Sequence, residues 1–207
     1  MSGPDADFWQ NRFESGSTPW DRGEVHPQLA RWMAAGELRP GERVAVPGCG
    51  SGYELAALAE AGCAAIGIDY APAAVARSRE RLARVAPPAT TSEVIQADVL
   101  EWSPTAPLDV VYEQTCLCAL HPDHWQAYAA RLHAWLRPGG RLLVLAMQAP
   151  REGAGSGFIE GPPYHTDINA LRALLPQPAW EWPRPPYERV PHPRNGWAEL
   201  AIALKRR

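Results

Sequence analysis

Short apolar runs alternate with amphipathic stretches along the chain. The runs at 43–46, 64–68, 93–95, 108–112, 141–146 and 197–204 predict strands, and several are continuously apolar, as strands covered on both faces must be. Between them apolar residues recur at helical spacing. Leu55 and Leu58 mark a helix over 54–61 that stops at Gly62, a residue free to take the left-handed conformation. Pro72 opens a second helix, with Val75 and Leu82 on one face and the Arg and Glu residues between them left for solvent. Pro122 opens a third, with Trp125, Tyr128 or Ala129, Leu132 and Leu136 at core spacing and Pro138-Gly139-Gly140 at its end. Thr166 is the expected N-cap of a fourth. Strand and helix in alternation are the signature of parallel strands joined by crossover helices, so the class is α/β.

The stretch from Pro176 to Pro193 carries seven prolines, which excludes a regular helix or a central strand and predicts a loop or irregular connection. No repeat or low-complexity linker divides the chain, and the last strand is needed to complete the sheet. Residues 1–207 therefore read as a single domain.

Composition narrows the partners. A hydrophobic share of 46% with 9 Trp does not describe a disordered chain. No apolar run approaches the roughly 20 residues that span a bilayer, so no membrane partner is expected. The first residues carry acids where a signal peptide needs a basic stretch, and the expected location is the cytoplasm. With 20 basic against 23 acidic residues the chain lacks the surplus that phosphate backbones favour, which argues against nucleic acid. Cys49, Cys63, Cys116 and Cys118 show neither a C-x-x-C pair nor zinc spacing, and His121 and His124 lack a third ligand, so reduced thiols and no metal are expected. Trp32, Trp125 and Trp135 sit at core spacing and read as packing residues.

The chemistry concentrates where the first strand ends. Val46-Pro47-Gly48-Cys49-Gly50-Ser51-Gly52 leads from that strand into a helix, and glycines at alternate positions let the backbone approach a bound molecule that a Cβ would obstruct. A dinucleotide fingerprint would place a third glycine where Tyr53 stands, so an NAD-linked oxidoreductase is disfavoured. A phosphate-binding P-loop needs Gly-Lys-Ser/Thr, and the sole lysine is Lys205. Asp69 closes the second strand, where a carboxylate can accept bonds from both ribose hydroxyls. Asp98 closes the third predicted strand segment, in place to meet an adenine edge.

Around this framework stand Phe8-Trp9-Gln10-Asn11-Arg12-Phe13, Pro19-Trp20-Asp21, the Tyr112-to-Pro122 run with Cys116 and Cys118, and Gly161-Pro162-Pro163-Tyr164. Together they resemble the class I S-adenosylmethionine-dependent methyltransferases and, more narrowly, the thiopurine and thiol methyltransferase family. The resemblance spans most of the chain. It implies a Rossmann-like fold, a mostly parallel seven-stranded sheet with helices on both faces, and S-adenosylmethionine as cofactor, leaving as S-adenosylhomocysteine.

The resemblance also implies where each group sits. The segment 1–25, bearing Phe13 and Trp20, would cover the cofactor, with Trp20 also facing the substrate. Gly48, with Gly50 and Gly52 of the same turn, and Asp69 would meet the methionine and ribose portions, while Asp98 and Val99 would border adenine. Gln114 would lie near the cofactor where thiopurine enzymes carry an arginine, and since Gln supplies no fixed charge this departure speaks against a thiopurine substrate, while the Gly48 to Gly52 run and the Trp20-Asp21 pair resemble more closely the small-thiol and halide branch. Tyr112, Cys116 and Tyr164 would join Trp20 around the substrate.

Methyl transfer from a sulfonium needs alignment more than acid–base chemistry, so no catalytic residue is assigned. The expected enzyme methylates a small nucleophile, a thiol or thiopurine sulfur, with halide or selenium and tellurium oxyanions as alternatives. A non-catalytic S-adenosylmethionine-binding module is the competing class. The partner is a small-molecule substrate, and the chain is expected as a monomer or small homo-oligomer.

Overall fold

Five strands lie parallel in the order β3-β2-β1-β4-β5: β1 (Arg43–Pro47), β2 (Ala64–Asp69), β3 (Glu93–Gln96), β4 (Leu108–Gln114) and β5 (Leu136–Gln148). The structure is a computed structural model and describes residues 3–85, 91–153, 159–193 and 196–207. The final strand, β8 (Ala198–Arg206), runs antiparallel to β5 from Arg141↔Lys205 to Gln148↔Ala198. Two short strands, β6 (Trp180–Glu181) and β7 (Glu188–Pro191), follow one another along the free edge of β8. The sheet thus has eight strands rather than seven.

Two expectations are corrected here, with one cause. The proline-rich stretch is not wholly irregular, because its two strand pieces dock where a missing N–H is tolerated, at a sheet edge. Pro183, Pro185 and Pro186 fall between them, and Pro191 ends β7.

Each strand alternates its side chains between two packed layers, as the two-residue pleat requires. Val44, Val46, Val110 and Tyr112 face α2 (Pro27–Ala34), α3 (Tyr53–Glu60) and α4 (Pro72–Leu82), joining Leu29, Trp32, Leu55, Leu58 and Val75. Ala45, Val111, Leu142 and Val144 face α5 (Trp125–Trp135) and α6 (Ile168–Leu174), joining Tyr128, Leu132, Trp135 and Leu171. Leu55 and Leu58 are fully buried, each worth about 1.5–3 kcal/mol of apolar transfer. Trp125 packs partly buried against the second layer and donates its indole N–H to the Leu117 and Leu120 carbonyls.

Several helix boundaries differ from the expected ones: α3 is shifted by one residue, and Pro122 opens a 3-10 turn (Pro122–His124) that leads into α5. Helix α5 ends at Trp135, and Leu136 already pairs with Leu108 as strand, because Pro138 disfavours helical backbone at the residue before it. Helix α6 is capped by Asp167 rather than Thr166: its carboxylate accepts from the Asn169 and Ala170 N–H groups at 2.6 and 3.0 Å. Ahead of the sheet, α1 (Ala6–Glu14), capped by Asp5, packs on α4. No helix among the described residues is long and apolar enough to cross a membrane.

Candidate active site

Between β1 and β4 the strand order reverses, and at this switch point the loops beyond the two strands diverge and leave a crevice. A cavity of about 620 Å³ opens there, within the range of small-molecule sites. Its floor is the turn after β1. Gly48, Gly50 and Gly52 all take left-handed backbone, with φ of 61°, 52° and 76°. A Cβ on Gly48 would lie 3.1 Å from the Cys116 Cβ, so bare backbone is what keeps this wall open.

Asp69, the last residue of β2, borders the cavity and organises the turn. One carboxylate oxygen accepts from the Gly50 N–H at 3.0 Å and the other from the Ala71 N–H at 3.0 Å. Each oxygen keeps a further lone pair for a ligand hydroxyl. Burial pushes this carboxyl up, while the backbone N–H groups pull it back toward the ionised form. Asp98 and Val99, beyond β3, line the next part of the wall, and the Leu100 N–H donates to Asp98 at 2.8 Å. Gln114, at the end of β4, lines the cavity and accepts the Tyr112 hydroxyl at 2.9 Å.

The N-terminal segment forms the roof. Phe13 and Trp20 both line the cavity, and their rings meet edge to face at 5.9 Å, with Trp9 against Trp20 at 5.2 Å. Asp21 receives the Ser51 hydroxyl at 2.5 Å, tying roof to glycine turn, and His192 donates to the Trp20 carbonyl at 3.2 Å. Of the 1–25 segment, residues 1 and 2 lie outside the described residues.

Of the residues expected around the substrate, Trp20, Tyr112 and Cys116 line the cavity and Tyr164 does not. Tyr164 is buried beside it, edge to face on His121 at 5.4 Å, with its N–H bonded to the Cys118 carbonyl at 2.7 Å; Pro162 and Pro163 form the wall instead. Cys116 and Cys118, two residues apart, would share a side if the chain stayed extended after β4, but it does not. The chain turns sharply at Thr115, φ 62°, into a 3-10 turn (Leu117–Ala119), and Cys118 donates to the Thr115 carbonyl at 3.2 Å. Burial pushes the Cys49 thiol up to about 12 and those of Cys116 and Cys118 well above the ordinary thiol range. These sulfurs stay protonated at neutral pH and offer no nucleophile.

Behind the cavity, Glu113 is buried and accepts the Leu117 N–H at 2.7 Å. Desolvation pushes its carboxyl up to about 7, although that N–H and the Cys116 N–H favour the charged form. A folded value above the unfolded one means stability present below about 4.5 and lost as pH rises through 7. Glu113→Gln should therefore flatten the decline of the urea midpoint between pH 5 and pH 8. Parallel declines in variant and parent would show that Glu113 does not carry the charge cost.

Glu54 and Arg22 line the cavity without having been singled out in the sequence, and His26 and Glu199 support them from behind it. Glu54, in the first turn of α3, lines the cavity and accepts the His26 N–H at 3.0 Å, and burial pushes its carboxyl up. Its place just after the glycine turn is a usable signal. Arg22, His26 and Glu199 meet below the roof: Arg22 Nη1 lies 3.3 Å and His26 Nε2 2.9 Å from one Glu199 oxygen. No local pattern connects these three.

A parallel sheet with its switch point at β1 and β4, an antiparallel closing strand, and a glycine turn followed by an acid at the next strand end define a class I S-adenosylmethionine-dependent methyltransferase. The same architecture appears in solved structures. The 1,6-didemethyltoxoflavin-N1-methyltransferase of Burkholderia thailandensis superposes with a TM-score of 0.76 at 22% identity, over 97% of this chain and 86% of that one. Magnesium protoporphyrin IX methyltransferase from Synechocystis PCC 6803 does so with 0.74 at 18% identity, over 99% and 100%.

The chain belongs to the thiopurine S-methyltransferase family, whose model matches residues 4–199. Among its relatives, a probable thiol methyltransferase 2 of Arabidopsis thaliana is 31% identical over 84% of this chain and 74% of its own length. A thiopurine S-methyltransferase of Azotobacter vinelandii is 32% identical over 82% and 81%.

Proposed function

We propose that the protein transfers the methyl group of S-adenosylmethionine to the sulfur of a small thiol. The observation that carries this reading is one continuous cavity lined by the glycine turn, Asp69, Asp98, Trp20, Tyr112 and Cys116. The cradle fits the cofactor: backbone lies bare where a Cβ would intrude, and Asp69 has lone pairs left for sugar hydroxyls. When bound, S-adenosylmethionine supplies an electrophilic methyl carbon whose leaving group is a neutral thioether.

What the protein contributes is alignment and exclusion of water. Holding the acceptor sulfur in line, about 3–3.5 Å from the methyl carbon, supplies much of the rate without a covalent intermediate. Trp9, Phe13 and Trp20 close the roof with aromatic faces, which attract the positive sulfonium. The thiol acceptor is favoured over a thiopurine because Gln114 brings no fixed charge to its wall.

The test is methyl transfer from labelled cofactor across small thiols, thiopurines, iodide, and selenium and tellurium oxyanions, with thiols expected to react fastest. Binding of S-adenosylhomocysteine with no acceptor methylated would replace this reading by a cofactor-binding module. Within the same assay Trp20→Ala should lower kcat/KM for the thiol by roughly 10-fold, as expected for a desolvated cation–π contact worth over 1 kcal/mol. Unchanged turnover and unchanged cofactor affinity would remove Trp20 from the site.

A further inference from the structure

One group in the cavity wall has no task in the alignment of cofactor and acceptor. Arg22 lines the cavity, yet its side chain is only 8% exposed. Its Nη1 reaches a Glu199 oxygen at 3.3 Å, while its Nε is buried with no partner among the described residues. A guanidinium has five N–H donors, and holding it this far out of water against one carboxylate oxygen costs free energy, which an anion in the cavity beside it would offset.

The support behind Arg22 is built in two steps. His26 Nδ1 accepts the Gln28 N–H at 3.0 Å, so the ring proton sits on Nε2, which donates to Glu199 at 2.9 Å. Glu199 is fully buried on β8, opposite Met147 of β5, and holds the guanidinium against that end of the sheet. This end lies across the switch point from Asp69 and Asp98. Arg22 and Tyr112 of β4 line the same cavity and lie close enough for the charge of Arg22 to act on the Tyr112 hydroxyl, which sets Arg22 toward the acceptor half. A buried Arg–Glu pair adds little to stability on its own, which leaves recognition as what it supplies.

We propose that Arg22, positioned by Glu199 and His26, recognises the methyl acceptor as a small soft anion. For a thiol this means the thiolate, and for an inorganic acceptor a halide or pseudohalide. The inference rests on the S-methyltransferase reading and adds the charge state of its substrate. A thiol gives its proton to water on binding. Its sulfur then forms the new bond to the methyl carbon, while the donor's carbon–sulfur bond breaks and leaves its electron pair on the donor sulfur.

Arg22→Gln alone would strand the buried Glu199 carboxylate, so the test uses R22Q/E199Q beside E199Q, with R22K retaining the charge. Acceptors are a small thiol, iodide, and dimethyl sulfide, a neutral sulfur nucleophile. Relative to E199Q, the double variant should lose roughly 100-fold in kcat/KM for the anionic acceptor, mainly through KM, as for removal of a buried charge-assisted contact. Dimethyl sulfide methylation and S-adenosylhomocysteine affinity should stay within about threefold. R22K should recover part of the loss.

In the parent, thiol turnover with inert iodide identifies the thiolate as source, and iodide turnover the halide; in either case the support comes from the loss in the double variant set against dimethyl sulfide. Equal losses for anionic and neutral acceptors overturn the proposal. So does a parallel loss of S-adenosylhomocysteine affinity, which would give Arg22 to the cofactor carboxylate. A parent that binds S-adenosylhomocysteine but methylates nothing overturns the S-methyltransferase reading together with this one. An active parent indifferent to Arg22 overturns this one alone.

Discussion

Asp69→Ala is expected to weaken S-adenosylhomocysteine binding by roughly 100-fold or more. Two hydrogen bonds from sugar hydroxyls to an ionised carboxylate are worth about 1.5–3 kcal/mol each, and every 1.4 kcal/mol is tenfold in affinity. The truncation acts a second time through the turn. Without the carboxylate the Gly50 and Ala71 N–H groups lose their acceptor, and the backbone that faces the ligand loses its brace. Asp69→Asn keeps the shape and one acceptor oxygen, so its loss should be smaller. Isothermal titration with S-adenosylhomocysteine measures both. An alanine variant within threefold of the parent would show that this strand end does not hold the ligand's sugar.

Gly52→Ala should be strongly destabilising. Gly52 precedes α3 at φ 76°, and a Cβ there would stand 2.6 Å from the Ser78 Oγ and 2.8 Å from the Ser78 Cα. Rotating Ser78 relieves the first clash but not the second, because the Cα belongs to helix α4. Left-handed strain of about 1–2 kcal/mol adds to an overpacking cost of about 1–3 kcal/mol, a large part of a typical 5–15 kcal/mol total.

Gly36 separates the two costs. It has the same φ of 76°, and a Cβ there would meet nothing within 4 Å, so Gly36→Ala should cost only the backbone share. Urea midpoints for the two variants give the comparison, and cofactor titration of Gly52→Ala should show binding lost along with stability. Equal midpoints would mean that Ser78 and α4 yield freely to the added methyl.

Both predictions fall on residues that local pattern already marks. A strand running into alternate glycines, followed by one acid that closes β2 and another two residues beyond the end of β3, is a short-range signal: each part lies within a few residues of a strand end. The conformation it demands is set by which residues can take positive φ and which side chains can accept hydrogen bonds. The same holds for the core. Leu55, Leu58, Val75, Tyr128, Leu132 and Trp135 are readable because burial repeats with the period of the helix that carries them.

Sequence and structure part where competition between distant segments decides the outcome. Tyr164 stands in a loop rich in glycine and proline, which suggests a side chain free to reach the substrate, but its backbone bonds to Cys118 and its ring finds His121. The proline-rich stretch reads as a connector on its own; the free edge of β8 offers its two short strands a partner.

The chain's own order of residues thus dictates the alternating elements, the glycine turn and the acids at the strand ends, because these rest on periodicity and backbone freedom over a few positions. Folding alone brings Arg22 and His26 to Glu199, 177 and 173 residues away, and decides which rings reach the cavity. Such contacts depend on which strands become neighbours in the sheet, and no spacing along the chain encodes that arrangement.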